Sequence, residues 1–256
     1  MTGNLLLRGL IAGLLAGLLA FAVAKVFGEP QVDRAIAFEE SAGHSHSHGD
    51  PSAAEEEEPE VFSRQVQGGV GLFTGVMVYS LSMGGLFALV FAYAMGRLGA
   101  FKLSPRGLAA LLALLAIIAV YLVPALKYPA NPPAVGSPET IAQRTRLFFL
   151  MVLVSVAAMV LAVNAARSLL PRLGGWNATL LAALLYALIM AVAGAAFPAV
   201  NEVPEHFSAT LLWQFRTVAL GIQLALWGGV GIAFGWLAER YLLGAPAVRP
   251  DARLRG

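Results

Sequence analysis

The sequence contains no cysteine. That absence removes disulfides, thiolate metal sites and cysteine nucleophiles together, and leaves imidazole, carboxylate, amide, thioether and backbone oxygen as the available metal ligands. Charge is scarce as well: Asp, Glu, Lys and Arg account for 12% of the 256 residues, and apolar types for 58%. An ordinary soluble domain carries about twice that charged fraction, so this composition excludes one. Also missing are the G-x-x-x-x-G-K-[ST] loop that cradles nucleotide phosphates and the H-E-x-x-H and G-x-S-x-G strings of hydrolases. The chain is therefore read as no enzyme, with no P-loop ATP hydrolysis and no resident cofactor.

What is present is a series of apolar runs longer than the roughly 18 residues that a bilayer span requires. They fall at about 5–27, 69–95, 107–126, 147–170, 178–200 and 215–238. Backbone polar groups inside hydrocarbon must be satisfied within their own segment, and runs this long without strict alternation are helices rather than barrel strands. The expected fold is all-α: a polytopic membrane protein with a bundle of about six transmembrane helices, 1–256 forming a single integral membrane domain. The first run follows Arg8 and ends near Ala22-Val23-Ala24, a pattern shared with secretory signal peptides. It is long enough to span, and Gly9, Gly13 and Gly17 give it a smooth face for close packing. Gly71 with Gly75 and Gly231 with Gly235 read as packing faces on the same logic.

Orientation follows from Lys and Arg on alternate connections. One side collects ten (Arg8, Arg97, Lys102, Arg106, Arg167, Arg172, Arg240, Arg249, Arg253, Arg255) and the other seven (Lys25, Arg34, Arg64, Lys127, Arg144, Arg146, Arg216). This bias points to both termini in the cytoplasm, with 239–256 a basic cytoplasmic tail. The basic residues are scattered, so they read as topology signals rather than nucleic-acid contacts. The outward connections are then 28–68, 127–146 and 201–214. The last two look alike, since Val123-Pro124-Ala125-Leu126-Lys127 opens one, Phe197-Pro198-Ala199-Val200-Asn201 opens the other, and Arg146 and Arg216 follow at the next helix starts. A weak internal repeat and a chance likeness of two Pro-containing helix ends both remain open.

The outward connections hold the candidate metal chemistry. His44-Ser45-His46-Ser47-His48 carries three of the four histidines, and imidazoles at alternate positions in a flexible loop suit divalent cobalt, nickel, copper or zinc. The bland alternative is a solvated spacer within a partly disordered His- and acid-rich loop over 28–68; Glu55 to Glu58 read as solvation. If 30–40 is helical, Glu29, Asp33, Ile36 and Glu40 share one stripe. That stripe would attract a dication, or it is the polar face of an interfacial helix whose Val32, Ala35 and Phe38 lie on lipid.

In the second connection Tyr128-Pro129-Ala130-Asn131-Pro132-Pro133 is too rich in Pro for a helix and exposes carbonyls, which makes Asn131 a candidate in a gate or ion-coordinating turn. Lys127 reads as a snorkelling anchor. The third, Asn201-Glu202-Val203-Pro204-Glu205-His206, offers two carboxylates, an amide and an imidazole, or is simply a charged surface turn; Trp213-Gln214-Phe215-Arg216 beyond it suits an interfacial anchor.

No acidic residue falls near mid-membrane, which argues against a buried carboxylate proton relay. The polar groups there are Thr74, Tyr79, Ser80, Ser82, Ser155, Asn164 and Gln223, with Met77, Met83, Met151, Met159 and Met190 as soft contacts. Bonds between helices and gap-filling explain most of them.

Taken together, Gly28-Glu29-Pro30, Asp33-Arg34-Ala35-Ile36, Glu39-Glu40, a His-rich insertion, Lys127-Tyr128-Pro129, Asn131-Pro132-Pro133-Ala134-Val135-Gly136 and Pro198-Ala199-Val200-Asn201-Glu202-Val203-Pro204 resemble the CbtA family of probable cobalt transporter subunits. The resemblance runs from the first helix to the last. It implies a bacterial inner-membrane protein for cobalt uptake linked to cobalamin synthesis, working with a small single-span, His-containing partner called CbtB, and it carries no ligand residues of its own to transfer. The expected function is thus uptake of divalent cobalt as the transported ion. Candidate ligands are Glu29, Asp33, Glu40, Asn131, Asn201, Glu202, Glu205 and His206, and His44, His46 and His48 form a capture tract. Nickel or zinc as cargo, or a non-transporting scaffold that buffers metal, are the alternatives. Oligomeric state is not legible.

Overall fold

The structure, a computed structural model, describes residues 1–46, 63–97 and 103–244, with side chains left aside at 42–46. Among the described residues it is helical apart from its connections, without a strand. The helices are α1 (Thr2–Val23), α2 (Glu29–His46), α3 (Arg64–Val66), α4 (Leu72–Met95), α5 (Pro105–Ala116), α6 (Val123–Lys127), α7 (Ile141–Ala196) and α8 (Ala209–Leu243). Wider π-helical turns at Ala24–Gly28, Gln67–Gly71 and Ile117–Leu122 join α1 to α2, α3 to α4 and α5 to α6 into continuous rods.

Two of these turns have a cause in proline. Pro124 and Pro30 have no N–H to offer the carbonyls four residues earlier, Val120 and Val26, and their rings press against those oxygens, so the turns ahead of them open. All three wide turns lie toward one end of the molecule, the end that carries the candidate residues.

Five helical stretches are long and apolar enough to cross a membrane: Thr2–Ser41, Arg64–Met95, Pro105–Lys127, Pro138–Ala196 and Ala209–Leu243. The fourth covers two of the expected spans. Its 59 residues would reach about 90 Å if straight, but Gly174 breaks it with φ 73° and ψ 169°. Pro171, which cannot donate to the Arg167 carbonyl, weakens the rod one turn before the break. The arms then lie side by side. Ser155 Oγ and Tyr186 Oη, one on each arm, are 2.7 Å apart, and Ala158, Ala162 and Ala166 share a core with Ala182, Tyr186 and Met190. The chain therefore makes six passes.

Small residues are inside and large ones outside, the reverse of a soluble core. Ala12, Ala16, Ala20, Ala88, Ala109 and Ala113 are buried, while Leu15, Leu19, Leu86, Leu184, Leu188 and Ile232 are exposed. This is the pattern of helices whose backbones approach closely while their branched side chains meet lipid. Gly9 and Gly13 face Gly84 so tightly that a Cβ on Gly84 would strike the Gly9 carbonyl and the Gly13 backbone, and Gly17 sits against Ser80 and Met77. Gly231 and Gly235 meet Ala113 and Ala109 of α5 in the same way. The face expected at Gly71 and Gly75 is not used: both are exposed and Gly75 has open space beside it, because α4 turns Met77, Ser80, Gly84, Phe87 and Phe91 inward instead.

The buried residues form two bodies. One core joins α1, α4, α5 and α8 around Leu5, Phe87, Phe91, Trp227 and Phe234, with Phe234 edge-on to both other phenylalanines. The other belongs to the α7 hairpin and includes Tyr128; Ile118 packs against both. Polar side chains within the spans bond mostly to their own helix, as Ser80 to Val76 O, Ser82 to Val78 O and Asn164 to Val160 O, rather than between helices as expected. Ser155 with Tyr186 is the exception. At the end opposite the candidate residues, Asn4 donates to Tyr241 Oη at 3.1 Å, Arg8 stacks on the Tyr241 ring and Arg106 pairs with Glu239. The expected tail 239–256 begins inside α8, which runs to Leu243, and 245–256 lies outside the described residues.

The α1/α4 crossing should be the most sensitive point in the bundle. Gly84→Ala is expected to destabilise the detergent-solubilised chain by about 1–3 kcal/mol, the cost of overpacking a tight contact, seen as a lower melting temperature. Gly75→Ala, placed in open space, should melt like the parent.

Candidate functional site

α2 continues α1 past Pro30, and Glu29 and Asp33 fall one turn apart on it. Both accept from Arg64 Nη2, each at 2.9 Å, and Glu29 is the more enclosed of the two. Lys25 Nζ reaches the Gly68 carbonyl at 2.8 Å. Gly68 has no room for a side chain because the Glu29 carboxylate occupies that space. The two ends of the 28–68 connection are thereby clasped by an arginine. The apolar face of α2 lies on protein, which rules against the alternative in which Ala35 and Phe38 rest on lipid. Ala35 is fully buried with Val135, Phe207 and Leu211, and the Phe38 ring meets Phe207 edge-on at 5.0 Å.

The second and third connections are sewn together beneath α2. Tyr128 Oη donates to the Pro198 carbonyl at 2.8 Å. Glu202 accepts from the Ser137 amide at 3.0 Å and pairs with Arg144 Nε at 3.2 Å. Arg144 also donates to Thr140 Oγ1 and the Ser137 carbonyl, and Arg216 to the Ala130 carbonyl and, at 2.9 Å, to Asn131 Oδ1. The Pro-rich backbone makes this possible through two residues in the left-handed region, Ala134 (φ 66°) and Gly136 (φ 118°). At Gly136 glycine is required twice, for its φ and because a Cβ would land on the Arg144 guanidinium.

Between these loops and the adjoining ends of α7 and α8 lies a cavity of about 410 Å³, lined by Tyr121, Asn131, Arg144, Phe148, Glu202 and Arg216 among others. It sits where the hairpin body meets the four-helix body. The hydroxyl of Thr140, the Ser137 amide and the Arg144 guanidinium together hold the Glu202 carboxyl below the usual carboxylate range, against a smaller opposing push from desolvation.

The candidates are thus divided between places. Asn131, Asn201 and Glu202 line the cavity, and Glu29 and Asp33 sit in the Arg64 clasp. Glu40, Glu205 and His206 are solvent-exposed. α2 carries its backbone to His46, but the side chains of His44 and His46 and the whole of His48 lie outside the described residues. Among the described residues no three His, Asp or Glu side chains gather as for a metal ion. Sequence reasoning missed Arg64 and Arg144. The signal for the latter was present, an arginine at a helix start after each Pro-rich loop, but the counterpart of Arg216 is Arg144, and Arg146 is exposed.

The family model described as a probable cobalt transporter subunit, CbtA, matches residues 2–239. The chain belongs to the CbtA family. No curated protein and no solved structure matches it. The matched span covers every pass of the bundle and all of the cavity's lining residues, and membership as a transporter subunit implies that this CbtA-family chain works with at least one other component.

Two outcomes follow. Glu202 has a depressed folded pKa, so its stabilisation is complete at neutral pH and lost as pH falls through that pKa. Glu202→Gln should melt earlier than the parent at neutral pH, and the gap should close below about pH 4. Gly136→Ala, which evicts Arg144, should reproduce the same loss at neutral pH while leaving membrane insertion intact, measured by expression in the membrane fraction.

Proposed function

We propose that this chain is the membrane-embedded subunit of a cobalt uptake system in the bacterial inner membrane, supplying the ion for cobalamin synthesis beside a small single-span, His-containing subunit. The observation that carries the reading is the cavity at the junction of the two helical bodies, in a member of a transporter family. A junction of this kind is where one body can rock against another around a fixed site. In this reading both termini are cytoplasmic, with Arg8, Arg97, Arg106 and Arg240 on the inner face.

His44, His46 and His48 would capture ions, and Glu29, Asp33, Asn131, Asn201, Glu202, Glu205 and His206 would pass them inward. An ionised carboxylate has about four acceptor positions, so Glu29, Asp33 and Glu202 keep lone pairs for a metal while their arginines keep affinity low. Weak sites suit conduction, which needs an ion to leave as readily as it arrives. Arg216 and Gln223 are seven residues apart and share a face of α8, and the buried Gln223 side-chain oxygen has no hydrogen-bond partner among the described residues. It is a candidate acceptor two turns deeper.

The arginine pairing also favours a second reading, in which the chain is an accessory scaffold and the permeation path lies elsewhere. Cobalt accumulation separates the two, in bacteria lacking their own cobalt importers and expressing this chain alone, with the small subunit, or neither. Cobalt should accumulate above background and in preference to nickel and zinc. Glu29→Gln, Glu202→Gln and Gln223→Leu should each reduce it roughly tenfold, the scale of one lost ligand bond. No accumulation in any arrangement, with the chain inserted, establishes the scaffold reading.

A further inference from the structure

The charges around the cavity do not balance for a cation. Its lining holds two guanidinium groups, Arg144 and Arg216, and one carboxylate, Glu202. Glu202 is committed to Arg144. Arg216 is half-buried, and among the described residues it has no carboxylate partner, only the Ala130 carbonyl and the Asn131 amide oxygen. A guanidinium removed from water without a counter-ion is costly, and the cost is relieved by an anion. Three of its five N–H groups remain unspent: both on Nη1 and one on Nη2. Nη1, which has no partner among the described residues, is not sealed from solvent, so its two donors are accessible at the cavity wall.

The rest of the lining restricts what the anion is. The volume, about 410 Å³, holds on the order of a dozen waters, far more than a bare inorganic ion needs. Tyr121, Ala125, Phe148, Phe149 and Val203 give it a largely apolar wall, suited to carbon rather than to hydrated phosphate. A planar fork of donors beside such a wall matches a carboxylate. We infer that the cavity binds a small organic carboxylate, either as the free acid anion or as part of an anionic metal chelate, with Arg216 as its anchor. The binding stands on the cavity alone; in its chelate form it deepens the transport reading, because it says in what company cobalt arrives where a bare dication would meet excess positive charge.

The test is calorimetry on the full chain in nanodiscs, with citrate, cobalt(II) citrate, cobalt(II) chloride and inorganic phosphate as separate titrants. Citrate or its cobalt chelate should bind saturably, and Arg216→Gln should weaken that binding tenfold or more. Because Arg216 also ties the second connection, Ala125→Phe is the companion variant: it narrows the cavity, replaces no polar or charged group of the lining, and should weaken binding comparably. Equal binding of citrate and chelate identifies the free acid as ligand; binding of the chelate alone identifies the metal complex. The inference is overturned if no carboxylate titrant saturates the parent protein, if phosphate binds as well as citrate, or if Ala125→Phe leaves the affinity unchanged. Carboxylate binding that persists while cells accumulate no cobalt would sink the transport reading and leave this one standing.

Discussion

Two helices can bring their backbones into contact only where no Cβ stands between them, and the crossing of α1 and α4 at Gly9, Gly13 and Gly84 depends on that condition. In a bilayer apolar side chains gain nothing by leaving lipid for one another, so association comes from close packing and a few polar contacts. α1 satisfies this on two sides, with glycines against α4 and Ala16 against Gly229 of α8. It is the central post of the four-helix body, and its continuation, α2, is delivered over the loops 128–140 and 197–208 as a consequence. The position of Glu29, Asp33, Ala35 and Phe38 above the cavity follows from an interface roughly 25–45 Å of helix away in chain order.

At the end of the bundle that carries these loops the organising groups are three arginines. Arg64 clasps Glu29 and Asp33, Arg144 holds Glu202, and Arg216 holds the Asn131 turn. Each joins a connection to a helix start from a different pass, so the three connections form one surface. Proline is the reason arginine is needed. Pro129, Pro132 and Pro133 keep this stretch out of a helix and leave carbonyls without helical donors, and buried carbonyls near a bilayer must be satisfied by side chains or water. A guanidinium, with five donors in a fixed fork, satisfies several at once.

The all-α class, the passes and the clustering of the connections 28–68, 127–146 and 201–214 at one end were legible because each rests on local composition: long apolar runs, small-residue spacing, proline-rich breaks. The hairpin at Gly174 was legible as two spans although its backbone is nearly continuous. The packing side of α4 was not, because Gly75 and Gly84 look alike in sequence and only the angle of α1 decides which is used. The site was legible as loops and illegible as pairs. Glu29, Glu202 and Asn131 stood out by residue type, yet their arginine partners lie 35, 58 and 85 positions away, and nothing in a single sequence connects such positions. The same limit explains why lipid stood as an alternative partner for α2, since its apolar face is completed by Val135 and Phe207 from other connections.

A site built for storage and one built for passage differ in how their charges are balanced. A storage site collects carboxylates and imidazoles around the ion and leaves them otherwise unpaired. Here the described carboxylates with the greatest burial, Glu29 and Glu202, are already neutralised by arginine, and the remaining guanidinium, Arg216, is the unbalanced one. An ion reaching this surface therefore competes with a resident cation for each oxygen, and any displaced guanidinium must find another anion nearby. A carboxylate brought in with the metal supplies that anion, so exchange proceeds without leaving a charge stranded in a poorly hydrated cavity. The surplus of arginine over carboxylate, which looks ill-suited to cation traffic, becomes coherent when the charge entering the cavity is that of a complex rather than of a bare ion.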